Sequence, residues 1–465
     1  MYPSRYNLLV PFPDSEQPYL LLNPLSGSAD LVAAAEAGEI MAMTENGRVP
    51  ANPELAAYLT GRGYLLPDGE AEEGRLRARE ADFGQALAAS PVQLLVIPTY
   101  ECNLACSYCF QRDLPPRGGI MSLEVARAFF AYVEANFLPA PAPPLVTLFG
   151  GEPLLASPRQ EEIVSFLATE TARRSLELAV VTNGYYLEQY EDILSQVKLR
   201  EIQVTLDGPA EVHDSRRPTG NGQGTYAAVV AGLETAVRRG WPVNLRVVVD
   251  RANLPALPEL ARELEVRGWL DLPPERFKTQ IGRRYQPFDC PAARTEAGEI
   301  FSRHQLWEEF LRLSEKEPVL SRFHPPDFLG LRQLALTGEM PLPLFDACPG
   351  GKGEWAFDLY GDIYPCTATC GRPEYRLGTF YPQPHLDMAA VAPWQQRSVR
   401  TIPACQDCPQ ALFCGGGCGA MAASNRGSLL APDCRPVTEL LALGAKYYRK
   451  QLLAQTTVVT ATATG

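Results

Sequence analysis

Three cysteines stand close together within Tyr100-Glu101-Cys102-Asn103-Leu104-Ala105-Cys106-Ser107-Tyr108-Cys109-Phe110. Thiolates spaced Cys-x3-Cys-x2-Cys can bind three irons of a four-iron cubane, which leaves the fourth iron without a protein ligand. That open iron can be chelated by the amine and carboxylate of a small molecule. A structural zinc site wants four closed ligands. No fourth Cys or His lies nearby in the sequence, so zinc is the weaker reading. A second group follows far downstream: Cys348, Cys366, Cys370, Cys405, Cys408, Cys414, Cys418 and Cys434. Seven or eight thiolates suit two further cubanes better than a zinc ribbon. Of the twelve cysteines only Cys290 stands alone. It reads as a bystander, although a lone thiol could donate hydrogen or bind substrate.

These residues need elements to hold them. At 465 residues and 46% apolar content, the chain is long enough for two or three domains of roughly 100–200 residues each. From residue 91 the pattern alternates between strand and helix. Strands are predicted at 92–99, 146–149, 176–182, 201–206, 243–249 and 277–281, and helices at 159–174, 187–197, 226–239 and 256–267. Ser122 is a good helix N-cap, and Val125, Phe129, Val133 and Phe137 recur every four residues as one helix face. Six strands with intervening helices predict a parallel α/β sheet. Six βα units are too few for an eight-stranded barrel, so a partial (β/α)6 barrel is expected over 91–284. Its chemistry should sit in loops at the C-terminal strand ends.

Residues 1–90 read as a small α/β module, with strands at 6–11 and 19–22, a helix over 29–39 and an acidic linker over 70–80. Residues 285–345 read as a connector with a helical patch around 301–313. Residues 346–454 are rich in Cys, Gly and Pro, with too thin an apolar core to fold without metal, and a helix over 437–453 closes them. A Thr/Ala-rich tail, 455–465, reads as disordered.

Charge and composition exclude other classes. A net charge of −12 gains nothing from counterion release on nucleic acid. No apolar run reaches the ~18–20 residues that cross a bilayer. The start, MYPSRYNLLVPF, lacks the charged and apolar regions of a signal peptide, so a soluble cytoplasmic protein is expected. In a reducing compartment, cysteines so spaced mean metal rather than disulfides.

The first cysteine motif resembles that of the radical SAM superfamily, and the resemblance recurs along the same core. Gly150-Gly151-Glu152-Pro153, after the second strand, looks like the GGEP segment of that family. By resemblance its backbone and Glu152 hold the methionine ammonium of S-adenosylmethionine. The plainer alternative is a glycine turn before a helix. Thr182-Asn183-Gly184, Thr205-Leu206-Asp207-Gly208-Pro209 and His213-Asp214-x-x-Arg217 resemble the peptide- and protein-modifying branch. The resemblance gives Arg217 the methionine carboxylate, or else a surface salt bridge. It places Asn183 and Asp207 beside the ribose or substrate, or else in turn caps. Tyr108 packs by the adenine, or else in the core. Asn244 and Arg246 alternate on the fifth strand and could both face the interior.

The second group is similar to the SPASM extension of radical SAM enzymes, which carries auxiliary iron–sulfur clusters. The resemblance implies that Cys405, Cys408, Cys414 and Cys434 bind one 4Fe–4S cluster and Cys348, Cys366 and Cys418 another. Cys370 is the favoured fourth ligand of the latter; a substrate thiolate is the alternative. The implied enzyme is a maturase of ribosomally made peptides. Its partners are a precursor peptide and an electron donor such as flavodoxin or ferredoxin. The implied product is a crosslink, thioether or epimer. Residues 1–90 would grip a leader peptide by strand addition, or else shield the barrel. The alternative substrate is a folded protein, as in anaerobic sulfatase maturation. Sulfatase maturases usually place an Asp where this chain has Thr367, which favours the peptide reading.

Overall fold

The computed structural model describes residues 1–13, 16–112, 114, 118–288 and 299–459. Cys290 lies outside the described residues. The strands of the large sheet are numbered β1 to β10. Six of them run parallel in chain order: β1 (Gln93–Ile97), β2 (Leu145–Leu148), β3 (Glu177–Thr182), β4 (Leu199–Thr205), β5 (Val243–Val249) and β6 (Phe277–Arg283). Their apolar runs are buried, as strands covered by crossover helices must be. The sheet does not close on itself, and the expected partial barrel is the observed fold.

The helices follow from local signals. Ser122 accepts a hydrogen bond from the Val125 amide and starts Leu123–Asn136, whose Val125, Phe129 and Val133 face the core. Ser157 caps Pro158–Arg173 in the same way, with Pro158 in the first turn. The helix expected over 187–197 is instead a 3-10 turn, Leu187–Tyr190, followed by the short Glu191–Leu194. Ser302 and Gln305 form a capping box for Arg303–Lys316 in the connector.

The cysteine-rich segment does not stand on a core of its own. Its first strand, β7 (Glu354–Asp358), pairs in parallel with β1, placing Glu354 opposite Gln93. Strands β8 (Asp362–Tyr364), β9 (Gly378–Thr379) and β10 (His385–Leu386) then continue the sheet antiparallel. Phe357 packs edge-on against Phe129 at 5.2 Å between ring centres, and Phe380 packs on Phe357. The segment therefore borrows the barrel's apolar core, a long-range pairing that its Gly- and Pro-rich composition does not signal.

Four other expectations need correction. The helix expected over 29–39 is a strand, Ser28–Val32, followed by a helix, Ala37–Asn46. Antiparallel pairing with Tyr19–Asn23 and full burial outweigh the helix propensity of alanine. The acidic linker is a twenty-residue helix, Gly69–Ala88, capped by Asp68. Its carboxylates have distant partners: Glu72 pairs with Arg5 at 2.9 Å and Glu73 with Arg400 at 2.5 Å. The closing helix breaks at Tyr448 into Val437–Tyr447 and Arg449–Gln455. The tail contributes a strand, Thr457–Val459, beside Ser28–Val32. No helix among the described residues is long and apolar enough to cross a membrane.

Candidate active site

The cysteine loop leaves the C-terminal end of β1, and the glycines after β2 grip its start. The Gly151 amide donates to the Thr99 carbonyl at 3.1 Å and the Glu152 amide to the Glu101 carbonyl at 2.8 Å. A Cβ on Gly150 would stand 2.3 Å from the Thr99 carbonyl oxygen, and one on Gly151 2.3 Å from that of Glu101. Only glycine permits this approach.

Glu152 is fully buried. One oxygen accepts from the Thr182 hydroxyl at 2.6 Å and the Leu154 amide at 2.9 Å, and the other accepts from the Asn183 amide at 2.6 Å. It thus ties the end of β2 to the end of β3. Burial pushes its pKa up, and these donors oppose the shift. The Asn183 amide group donates to Asn103 Oδ1 at 2.8 Å and lies 3.8 Å from Cys102 Sγ. Leu104 bridges to Thr219, fastening the loop to the segment after Arg217.

Asp207, at the end of β4, is a buried hub. It accepts from the Tyr108 hydroxyl at 2.6 Å, from the Val248 amide at 3.0 Å and from Arg216 Nε at 3.3 Å. Its oxygens are thus engaged within the fold and do not line the adjoining cavity. The Tyr108 hydroxyl in turn accepts from Arg217 at 2.6 Å. Arg217 Nε and Asn103 Nδ2 are buried without a hydrogen-bond partner. Two orphaned donors beside three thiols fit an anionic ligand and a cluster, since a buried donor left unpaired is costly. Burial raises the Cys106 pKa, while Arg217 pulls it down. Metal binding must therefore expel a proton. A tetrahedral zinc would draw its thiolates to within about 4 Å of one another. Among the described residues no three His, Cys, Asp or Glu side chains are grouped to hold a single ion.

Sequence reasoning chose Arg217 and passed over Arg216. Arg216 lies 2.8 Å from Asp250 and 3.3 Å from Asp207, and all three side chains are buried. Both arginines are buried, and adjacent arginines carry no signal for which partner each will take. His213 accepts from the Asp207 amide at Nδ1, 3.2 Å, which leaves Nε2 to donate to Thr225 at 3.1 Å. Thr225 donates onward to the Arg217 carbonyl at 2.7 Å. Burial and Arg217 push the His213 pKa down to about 4, against ~6.5 for an unfolded chain. The unfolded chain then binds the proton first, so this contribution to stability is complete above pH ~6.5 and is lost toward pH 4. We expect the thermal midpoint to fall across that range, and His213→Gln to flatten this limb. An unchanged acid limb would exclude His213 as its source.

A cavity of about 410 Å³ opens beside Tyr108, Arg217 and Phe149. Arg246, Arg283, Glu354 and Thr367 also line it. Of the β5 pair expected to face inward, Arg246 does, and has no ion-pair partner among the described residues. Asn244 donates to Glu201 at 2.9 Å instead. Arg283 donates to the Phe301 carbonyl at 3.0 Å. Glu354 accepts from the Thr367 amide at 3.1 Å, and burial raises its pKa. A second cavity, about 380 Å³, shares Arg283 and Tyr285 with the first and reaches Cys418.

The downstream cysteines form two neighbourhoods. The thiol of Cys405 is pushed up to about 11 by burial and by Cys414, Cys408 and Cys434. Burial raises Cys366 too, with Glu354, Cys348 and Cys418 adding to it. Cys370 packs with Leu95, Ile97, Ala356 and Tyr364, and its Sγ donates to the Cys366 carbonyl at 3.2 Å. The buried Arg397, missed in the sequence, donates to the Ala431 and Gly416 carbonyls at 2.9 and 2.7 Å. It pins the glycine loop between Cys414 and Cys418, where Gly415, Gly416 and Gly417 all have left-handed φ.

Residues 96–264 match the family model described as the radical SAM superfamily. A probable GTP 3′,8-cyclase of Methanopyrus kandleri is 30% identical over 36% of this chain, which spans only half of that relative's length. A serine-type anaerobic sulfatase-maturating enzyme of Bacteroides thetaiotaomicron is 24% identical, covering 71% of this chain and 83% of that protein. A PqqA peptide cyclase of Ruegeria pomeroyi is 27% identical, covering 76% and 91%. Among solved structures, anSMEcpe with bound AdoMet superposes with a TM-score of 0.60 at 20% identity, covering 78% of this chain and 95% of that one. Streptococcus suis SuiB bound to precursor peptide SuiA does so with a TM-score of 0.53 at 14% identity, covering 94% and 100%. These structural likenesses establish the fold. The family match shows a radical SAM domain over residues 96–264 of this chain.

Proposed function

We propose that this enzyme is a peptide maturase in which Cys102, Cys106 and Cys109 hold the radical-generating cluster. The observation that carries the reading is the pair of adjoining cavities, which runs from Tyr108 and Arg217 past Arg283 and Tyr285 to Cys418. A peptide chain fits such a passage, with one end of it at the site of hydrogen abstraction and the other beside the auxiliary cysteines. A four-iron cluster held by Cys102, Cys106 and Cys109 would supply the electron for reductive cleavage of S-adenosylmethionine to methionine and a 5′-deoxyadenosyl radical, which would take hydrogen from a substrate carbon. The orphaned Arg217 Nε suits the methionine carboxylate. Arg246 and Arg283 orient substrate carbonyl or carboxylate oxygens, and Glu354 can hold a proton released there. Cys405, Cys408, Cys414 and Cys434, and separately Cys348, Cys366 and Cys418 with Cys370, are the proposed holders of two auxiliary clusters. Such clusters would supply an acceptor for an electron. The SuiB structure bound to its precursor peptide and the PqqA peptide cyclase relative support a peptide substrate.

Mass spectrometry of a coexpressed precursor peptide tests this. A mass change that depends on Cys106 is expected, and an unmodified peptide under reducing, S-adenosylmethionine-replete conditions would sink the reading. Arg246→Ala should alter stability by no more than about 0.5 kcal/mol, because no buried partner is orphaned. Modification should fall by about tenfold or more, equivalent to ~1.4 kcal/mol of barrier. Comparable modification rates would remove Arg246 from the site.

One observation favours a second reading, sulfatase-type formylglycine formation. Thr367 replaces the acid expected of such enzymes, yet Glu354 brings a carboxylate to the Thr367 amide. Aldehyde capture after incubation with a sulfatase-derived Cys or Ser peptide distinguishes the two.

A further inference from the structure

Three arginines from distant parts of the chain meet around the second cavity. Arg283 ends β6, Arg303 opens the connector helix Arg303–Lys316, and Arg435 follows Cys434. All three line the same space of about 380 Å³, with Leu306, Trp307 and Met421 as apolar walls. Among the described residues no Asp or Glu lines it, although the chain carries a net charge of −12. Arg303 is satisfied, holding Asp433 at 2.7 Å and the Cys434 carbonyl at 3.2 Å. Arg283 donates to a carbonyl, that of Phe301 at 3.0 Å, and has no carboxylate partner among the described residues. The Arg435 side chain makes no hydrogen bond or ion pair among the described residues.

Two half-buried guanidiniums without a carboxylate are an incomplete arrangement. Burial pushes the Arg283 pKa down, and Arg303 adds to the shift. Like charges held together away from water need a counter-charge. A guanidinium fork matches a carboxylate with two parallel hydrogen bonds, and a neutral amide returns weaker ones. The space does not end at the arginines. A third cavity, about 290 Å³, shares Leu329 and Arg435 with it and reaches the exposed Leu342. A chain lying in the passage can therefore continue past Arg435. The matching carboxylate then belongs to a side chain and not to the last residue of a peptide.

We propose that Arg283 and Arg435 form a subsite for the carboxylate of an acidic residue within the substrate peptide. The inference rests on the peptide-maturase reading and narrows its substrate class to peptides that carry an internal Asp or Glu. That residue is not the modified one, because the cavity beside Tyr108 and Arg217 lies at the other end of the passage. Arg303, already paired with Asp433, is a flanking charge and not a ligand.

The probes are three synthetic tripeptides: acetyl-Leu-Glu-Leu-amide, acetyl-Leu-Gln-Leu-amide, and acetyl-Leu-Gln-Leu with a free C-terminal carboxylate. Isothermal titration calorimetry measures their binding to the full chain, to Arg283→Gln and to Arg435→Gln, all prepared anaerobically with clusters. The Glu peptide should bind the full chain at least about tenfold more tightly than its Gln counterpart. That preference should shrink to about twofold or less in either variant. A cluster at Cys418 would share the charge of Arg435, so Arg283→Gln is the deciding variant. Iron content and thermal midpoint establish that each variant is loaded and folded. Equal binding of the Glu and Gln peptides, or binding of neither, overturns the proposal. So does a preference that survives Arg283→Gln, or tighter binding of the free-carboxylate peptide than of the Glu peptide. If Arg283→Gln unfolds, Arg435→Gln decides in its place, and unfolding of both would make the arginines structural and also overturn the proposal. A coexpressed precursor left unmodified despite the Glu preference would end the maturase reading and leave the carboxylate subsite standing.

Discussion

Arg216→Ala is expected to destabilise the protein by about 3–5 kcal/mol, the usual cost of removing one partner from a buried ion pair. Arg216 stands between Asp207 and Asp250, both buried. Its loss leaves Asp250 to Arg284, at 3.1 Å, and leaves Asp207 only its neutral donors, the Tyr108 hydroxyl and the Val248 amide. The damage should reach the site, because Asp207 also orients Tyr108 and, through it, Arg217. Arg216→Lys should recover only part of the loss, since an ammonium cannot span the positions a guanidinium reaches. Denaturant unfolding of the anaerobic protein measures both variants. A cost below about 1 kcal/mol for the alanine variant would show that the carboxylates find other partners or become protonated.

Cys106→Ala is expected to abolish 5′-deoxyadenosine formation altogether while leaving the auxiliary iron in place. If three four-iron clusters are present, about a third of the iron should be lost. The variant should stay folded, because the loop is fastened by other contacts: the Gly151 and Glu152 amides hold its start and the Leu104–Thr219 bridge its middle. Iron analysis, electron paramagnetic resonance and product chromatography test the three parts separately. Residual 5′-deoxyadenosine would exclude Cys106 as an essential ligand. Loss of all the iron would mean that the clusters assemble as one cooperative unit.

The barrel was legible in the sequence because its signals are local. Buried strands such as Gln93–Ile97 are mostly continuous apolar runs, and helices such as Leu123–Asn136 announce themselves with a cap and a four-residue period. Covalent spacing placed the three thiols of the first loop, and the strand-end glycines marked where backbone meets backbone. The acidic helix Gly69–Ala88 was not legible, because its partners Arg5 and Arg400 lie far away in the chain.

By itself, then, the sequence determined the parallel α/β core, the three-cysteine loop at the end of its first strand and the resemblance to radical SAM domains, with further cysteines downstream. Tertiary structure alone decided how that chemistry is housed. It turned Arg216 into the carboxylate network of Asp207 and Asp250 and Arg217 toward the Tyr108 hydroxyl. It joined the cysteine-rich segment to the barrel through β7 and so brought Glu354 to the cavity wall. It also brought Thr457–Val459 back beside Ser28–Val32 of the N-terminal sheet. These outcomes depend on pairings between residues tens to hundreds of positions apart, where backbone hydrogen bonding and shared burial decide and local composition carries no trace.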